Sequence, residues 1–333
     1  MAINLRQLSA FLAVVEEGSF TRAARRLGIS QPSLSQQIRA LESTLGGPVV
    51  ERLPRGVRLT PAGRALLPDA QATVRASERA ASSARQALGL EAGELEVATL
   101  LSMAIGILPA AATRWREAHA GISIRMHEYT HPNLLEDAVR SGVGDLAVGP
   151  TPLAWEGPTE RLGWEEIVLI LPPSDPLAGR RRIALEALAD RAWVLFPHGH
   201  GLMDVVATAC RRAGFQPRAA VRTTQVEAAA RLVAAGVGPA MVPDNVLPPS
   251  PELHVAHLDP PVLRELAAYT RTEWSPLSTA FLAALRSLDW KRRPRTSAVL
   301  IERGLGYSAT GGERRPRRRD TLTRTGGEKR RKA

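Results

Sequence analysis

From Leu5 onward, apolar residues recur three and four positions apart: Leu5, Leu8, Leu12 and Val15, with Phe11 beside them. That is the spacing of one helical face, and it predicts a helix from Asn4 to Glu17 that Gly18 ends. Ser19 is a good N-cap for a second, short helix from Phe20 to Leu27, and Gly28 suits a left-handed residue after it. Ile29 is expected to point inward. Ser30 then caps a third helix, with Pro32 in its first turn, where a missing N–H costs nothing. Leu34, Ile38, Leu41 and Leu45 form the expected buried stripe of that helix. Gln31, Ser35, Gln36 and Arg39 fall on the opposite face.

A packing helix followed by two helices joined at a tight glycine turn is a helix-turn-helix. In that motif the last helix enters the major groove with its N-terminal residues against base edges and phosphates. Charge sharpens the reading. No acid occurs from Gly18 to Leu41, whereas Arg22, Arg25, Arg26 and Arg39 do. Helix N-termini ordinarily attract Asp and Glu. A polyphosphate facing this one explains their exclusion, because hydroxyls, amides and free backbone N–H groups suit phosphate oxygens and base edges alike. Gln31 and Gln36 are candidate base readers, since glutamine pairs bidentately with adenine. Two β-rich runs around Leu-Pro-Arg-Gly in residues 48–60 predict a hairpin that serves as a wing, carrying Arg52, Arg55 and Arg58.

Thr60-Pro61 reads as an N-cap and first-turn proline, opening a long helix to about Gly89. Leu67, Ala70, Val74, Ser77, Ala81, Ala84 and Leu88 alternate by three and four, a heptad seam that predicts a dimer. The alternative is one long helix packed on its own domain. From Gly93 the period changes. "ELEVATL", "ISIRMHEYT" and "DLAVG" read as strands separated by helices, and a second such series runs from Trp164 to "PAMVP". The pattern predicts an α/β architecture of two lobes on mainly parallel sheets, with a ligand outside the carboxyl ends of the strands.

The 333 residues carry a net charge of +11, spread unevenly: about +6 over residues 1–88, −6 over 89–290 and +11 over 291–333. A basic front is the electrostatic footprint of a nucleic-acid binder. Cys210 is the single cysteine, which excludes an intrachain disulfide and fits a reducing compartment. It falls on an apolar helix face and is expected in the core. The N-terminus lacks the pattern of a secretory leader, and no apolar run is long enough to span a bilayer, so a cytoplasmic protein without a membrane partner is expected. Glycine clusters such as "GVGDLAVG" make no phosphate-binding fingerprint. No nucleophile–base pairing is visible, so no enzyme and no cofactor is expected. His131, His198 and His200 could face one another across a cleft, but no carboxylate or thiolate spacing supports a metal site.

Residues 5–67, "LRQLSAFLAVVEEGSFTRAARRLGISQPSLSQQIRALESTLGGPVVERLPRGVRLTPAGRALL", resemble the N-terminal domain of LysR-type transcriptional regulators, and the order of parts resembles that family through about residue 288. The resemblance implies a winged helix-turn-helix (3–60), a linker and dimerisation helix (61–89), and a two-lobed domain like a periplasmic binding protein. Lobe I takes residues 92–162 and 267–288, and lobe II takes 163–266. It carries DNA recognition onto Gln31, Pro32, Ser33, Ser35, Gln36 and Arg39, with Arg52 and Arg55 on the wing. It carries effector binding onto Thr99, Leu100 and Ser102, Thr130 and His131, Pro197, His198, Gly199 and His200, and Thr224 and Gln225. Those helix starts, rich in N–H and hydroxyl groups, suit a small anion. The implied partners are double-stranded promoter DNA, a second copy forming a dimer or tetramer, a small-molecule effector, and RNA polymerase. Residues 289–333 fall outside the resemblance and read as a basic, disordered tail that either adds phosphate contacts or is an unselected extension. An effector-independent repressor of the same fold and a cytosolic solute-binding protein are the competing functions.

Overall fold

Three helices open the chain: α1 (Leu5–Glu17), α2 (Phe20–Arg26) and α3 (Gln31–Leu45). A computed structural model describes residues 3–53, 56–87, 93–247, 252–291 and 299–300. Each start has the cap its sequence offers. Asn4 and Gln7 exchange side-chain bonds to each other's backbone N–H at 3.0 and 2.9 Å, while Ser30 Oγ accepts from Ser33 N at 3.3 Å. Gly28 turns the chain between α2 and α3 at φ +68°, a conformation a Cβ disfavours. Leu8, Phe11, Leu12, Ala23, Leu34, Ile38 and Leu41 form the core beneath. Three positions expected inside are out: Leu5, Ile29 and Leu45 are all exposed. Each lies at or beyond a helix end, where the stripe has run past the core.

The wing is a two-stranded hairpin, β1 (Val50–Leu53) against β2 (Gly56–Leu59). Glu42 of α3 anchors it by accepting from Val49 N at 3.0 Å. Thr60 Oγ1 caps the next helix, α4 (Pro61–Ala87), by accepting from Gly63 N at 3.0 Å, and it donates to Pro48 O at 2.7 Å. At Gly63 the helix passes so close to the wing that a Cβ there would sit 2.0 Å from the Val49 carbonyl oxygen. Gly63→Ala is therefore expected to lower stability by about 1–3 kcal/mol through overpacking against backbone. A urea midpoint unchanged from the parent protein would refute that.

The stripe on α4 divides. Ala70 is buried, and Leu67 and Val74 pack beside it on the core of their own helix-turn-helix. Ser77 and Ala81 are exposed. This corrects the expectation of one continuous seam toward a second chain: its first half covers a core that three short helices leave open. The side chain of Ala84, and all of Leu88, lie outside the described residues.

The remaining chain is α/β. In order come β3 (Glu94–Leu100), α5 (Leu101–Gly106), α6 (Leu108–Ala118), β4 (Ser123–Tyr129), α7 (Pro132–Arg140), β5 (Leu146–Pro150) and β6 (Thr159–Leu171). Then follow β7 (Arg182–Ile183), β8 (Ala192–Leu195), α8 (Gly201–Arg212), β9 (Arg218–Arg222), α9 (Val226–Ala234), β10 (Ala240–Pro243), β11 (His254–Leu258), β12 (Val262–Tyr269), α10 (Pro276–Arg286) and β13 (Val299–Leu300). The main sheet is mixed rather than mainly parallel. β3 runs parallel to β4 and β5, but β12 is antiparallel to β5 and β6, and β6 is antiparallel to β10 and β11.

Two hydrophobic clusters sit on this frame. One gathers Leu95, Met103, Leu108, Trp115, Leu146 and Phe281; the other gathers Ile167, Trp193, Phe196, Val206, Cys210 and Met241. β6 and β12 pass from one cluster to the other, so the two lobes share them as a hinge. The reading of 289–333 as a disordered tail is corrected at its start. Lys291 bridges to Trp164, and β13 pairs with β12, so residues 289–291 and 299–300 belong to the sheet domain. The Arg-rich stretch 311–333 lies outside the described residues.

Candidate functional site

The N-terminal half of α3 presents Gln31, Pro32, Gln36 and Arg39 to solvent, with Ser33 half-buried between them. α3 has no acid in its first turn. Ser35 does not belong to this face. It is buried, its Oγ accepts from Arg52 Nη2 at 3.2 Å, and Gln31 Nε2 lies 3.4 Å away. The helical period puts residue 35 beside Leu34 and Ile38, on the edge of the core. Arg52 leans over Phe20 at 4.0 Å from the ring centroid. Its guanidinium thereby binds the wing to α2 and α3, a packing and positioning role in place of an extended reach from the wing. Arg55 at the wing tip lies outside the described residues. Arg58 pairs with Glu51 at 2.6 Å. Among the expected arginines of α2, Arg22 and Arg26 are engaged by Glu17 and Glu16, which also raise the pKa of Arg26. The exposed face is thus cationic at Arg25 and Arg39 and hydrogen-bonding at the two glutamines.

The second site lies between the lobes. On one flank they touch. Gly201 N, the first amide of α8, donates to Thr130 O at 2.9 Å, and His131 Nε2 lies 3.0 Å from Asp204 Oδ2. A Cβ on Gly201 would meet Pro132 Cδ at 2.7 Å, so only glycine permits this approach. His131 Nδ1 accepts from Asn133 N at 3.0 Å, which leaves Nε2 to donate to Asp204. The amides of α8 are therefore already spoken for, by lobe I and by the His200 ring, whose Nδ1 accepts from Leu202 N at 3.2 Å.

Several expected cleft residues face elsewhere. Thr99 is fully buried, and its hydroxyl donates to Val148 O at 2.9 Å, while Leu100 is in the lobe I core. Both are corrected from ligand contacts to packing at the end of β3, because the Thr99 hydroxyl is taken by the neighbouring strand and the Leu100 side chain by the core. Ser102 and His200 are buried, Thr130, His131 and Pro197 are half-buried, and His198, Gly199, Thr224 and Gln225 are exposed. Among the described residues, no group of three or more His, Cys, Asp or Glu could hold a metal ion.

Between the lobes lies a cavity of about 660 Å³ whose lining includes apolar Leu101, Ala104, Ile105 and Val226 and charged Glu128, Glu227 and Arg231. At the hinge lies a feature the sequence reading missed. Glu165 of β6 and Arg264 of β12 are cross-strand partners, their side chains 1% and 3% exposed, and they form an ion pair. Asn245 Nδ2 donates to the same carboxylate at 3.2 Å. Burial pushes the Glu165 carboxyl above its ordinary range, with Arg264 and Asn245 pulling the other way. The signal was present in "VLRELAAY" and "WEEIVLIL", each a charged residue inside an apolar strand, where only pairing makes burial tolerable.

Two family models match. Residues 5–64 fit the bacterial regulatory helix-turn-helix proteins of the lysR family, and residues 88–289 fit the LysR substrate binding domain. The chain belongs to the LysR family. A probable hydrogen peroxide-inducible genes activator of Mycobacterium avium is 37% identical over 244 residues, covering 72% of this chain and 78% of that protein. Full-length CbnR complexed with its target DNA is 26% identical with a TM-score of 0.63, covering 85% of this chain and 99% of that one. An OxyR cysteine mutant from Corynebacterium glutamicum is 32% identical with a TM-score of 0.52, covering 86% and 91%.

This LysR-type transcriptional regulator thus joins a DNA-binding helix-turn-helix to a two-lobed effector-binding domain. Among the described residues, no helix is long and apolar enough to cross a membrane. Its cleft carries a pH signature. Burial lowers the pKa of His200, with the Thr224 backbone and Asp204 raising it and His131 and Arg264 lowering it. The folded ring therefore binds a proton less well than the unfolded one. Stability from this group is full above the unfolded value of about 6.5 and falls as pH drops below it. His200→Gln is expected to flatten that decline between pH 7 and 5.5 in thermal unfolding. An unchanged slope would assign the decline to other groups.

Proposed function

We propose that this LysR-type regulator binds its promoter as a dimer through Gln31, Gln36 and Arg39, and that reversible binding of a small molecule between the lobes controls it. The observation that carries the DNA assignment is the exposed, acid-free first half of α3, flanked by Arg25 and supported by a wing that Arg52 and Glu42 lock in place. Dimerisation uses the face of α4 on which Ser77 and Ala81 are exposed, while Leu67, Ala70 and Val74 serve their own domain. Effector binding supplies differential contacts to open and closed lobes. It thereby shifts the placement of the two DNA-binding domains, and with it the shape imposed on the DNA.

The test is a titration against the intergenic DNA upstream of its own gene, with a scrambled duplex as control, at several salt concentrations. A preference of about 10³-fold or more with paired half-sites supports the reading. Equal, steeply salt-dependent binding to both would overturn specific recognition.

The likeness to a peroxide-inducible activator raises oxidation as a second mode of control. The chemistry of this chain argues against it. Cys210 is its single cysteine, fully buried among lobe II side chains, and burial pushes its thiol up to about 12. The thiolate is the reactive form, and here it is scarce. Millimolar peroxide is expected to leave DNA binding unchanged, as is Cys210→Ala. A peroxide-dependent change that the alanine variant abolishes would restore the oxidative reading.

A further inference from the structure

Ser35 is 5% exposed, yet its hydroxyl oxygen is the meeting point of two donors. Gln31 Nε2 reaches it at 3.4 Å from one turn earlier on α3, and Arg52 Nη2 reaches it at 3.2 Å from β1. A hydroxyl oxygen has two lone pairs, so it serves both donors at once. The guanidinium is itself fixed. It lies over the ring of Phe20, the first residue of α2, at 4.0 Å from the centroid. The hairpin that carries it is seated at two points. Glu42 holds Val49 just before β1, and Gly56 stands so near the turn between α1 and α2 that a Cβ there would meet Gly18 O at 3.2 Å. Wing, α2 and α3 thus converge on one buried oxygen, and Gln31 carries that arrangement to the exposed face.

An unheld glutamine amide turns freely and shows a base either its carbonyl oxygen or its NH2 group. Here Nε2 spends one of its two protons inward on Ser35. What remains to face outward is Oε1 beside a single N–H, one acceptor and one donor. Adenine offers the complement in the major groove, with N6–H as donor and N7 as acceptor, whereas guanine offers two acceptors, O6 and N7. A held amide therefore sets its oxygen against guanine O6, while a released amide turns its NH2 outward and serves guanine as well. Arg52 matters because its charge-assisted bond keeps the hydroxyl where Gln31 can reach it.

We propose that Ser35 and Arg52 are positioning residues that hold the Gln31 amide in the one orientation that selects adenine over guanine. This inference rests on the reading that the first half of α3 faces the major groove. It gives a wing arginine a part in base specificity without contact to any base.

The experiment selects from randomised duplexes with the full-length protein and reads the bound fraction by sequencing. Thermal unfolding of each variant checks the fold. The parent protein should select a motif in which one position of each half-site takes adenine over guanine by about tenfold. Gln31→Ala should identify that position by losing the preference. Ser35→Ala should relax it to adenine and guanine alike and leave the other selected positions unchanged. Arg52→Met should relax it severalfold. In the Gln31→Ala background, Ser35→Ala should change nothing further, a coupling that general loosening of α3 would not produce. If Gln31→Ala erases the preference and Ser35→Ala retains it, the positioning role is overturned and Gln31 remains a base reader. Guanine chosen over adenine by the parent protein means that the amide faces the other way, and also overturns the proposal. If the parent protein selects no motif, the reading of α3 as the specific DNA face falls and takes this inference with it. If it selects one that Gln31→Ala leaves intact, only the inference falls.

Discussion

Replacing Arg264 with methionine is expected to lower the stability of the two-lobed domain by about 3–5 kcal/mol, read as a shift of the urea midpoint at constant slope. The reason is what remains. Glu165 is fully buried and would keep only the Asn245 amide as a partner. Its carboxylate would either stay charged without compensation or take up a proton. Glu165→Gln should cost less, because the guanidinium keeps a neutral acceptor. The double variant Arg264→Met/Glu165→Leu should recover most of the loss, since apolar residues of similar volume often replace a buried pair without penalty. That non-additivity separates a buried ion pair from simple packing. If the two single losses simply added, the pair would be no more than two well-packed side chains.

The buried pair at this hinge ties the two long strands to each other. β6 and β12 run through both lobes, and Glu165 and Arg264 face each other across them. Sequence periodicity could not reveal this. β6 begins at Thr159, five residues before the strand expected from Trp164, and β12 was not resolved as an element at all. Alternation identifies a strand, but it does not say which strand crosses it. The helix-turn-helix was legible because its signals are local: Ser19, Ser30 and Thr60 cap their helices, and Gly28 has the positive φ its position requires. What failed there failed at edges. Ser35 lies at the boundary of the buried stripe, and only the approach of Arg52, seventeen residues away, turns it inward. The heptad stripe on α4 was real as a pattern, but a stripe does not name its partner. Leu67, Ala70 and Val74 found theirs within the same domain. In the cleft, the types of residue were right and several orientations were not. A hydroxyl at a strand end, such as Thr99, serves a neighbouring carbonyl as readily as a ligand.

At the DNA face, Ser33→Asp is expected to move folding and function in opposite directions. Ser33 stands in the first turn of α3, where a carboxylate interacts favourably with the helix dipole. The isolated protein should therefore be as stable as the parent, or more stable by about 0.3–1 kcal/mol. On DNA the same carboxylate meets phosphate at short range, and binding to the upstream fragment should fall by at least tenfold. Gln36→Ala should behave differently. Loss of a bidentate base contact costs about 1–3 kcal/mol of discrimination, so affinity for the specific site falls toward that for the scrambled duplex. Arg39→Ala should weaken both duplexes alike and reduce the salt slope by about one. These three signatures distinguish the roles of neighbours on one helix face. If Ser33→Asp bound DNA as tightly as the parent protein, the first turn of α3 would not face the phosphates. The absence of acids from Gly18 to Leu41 would then need another cause.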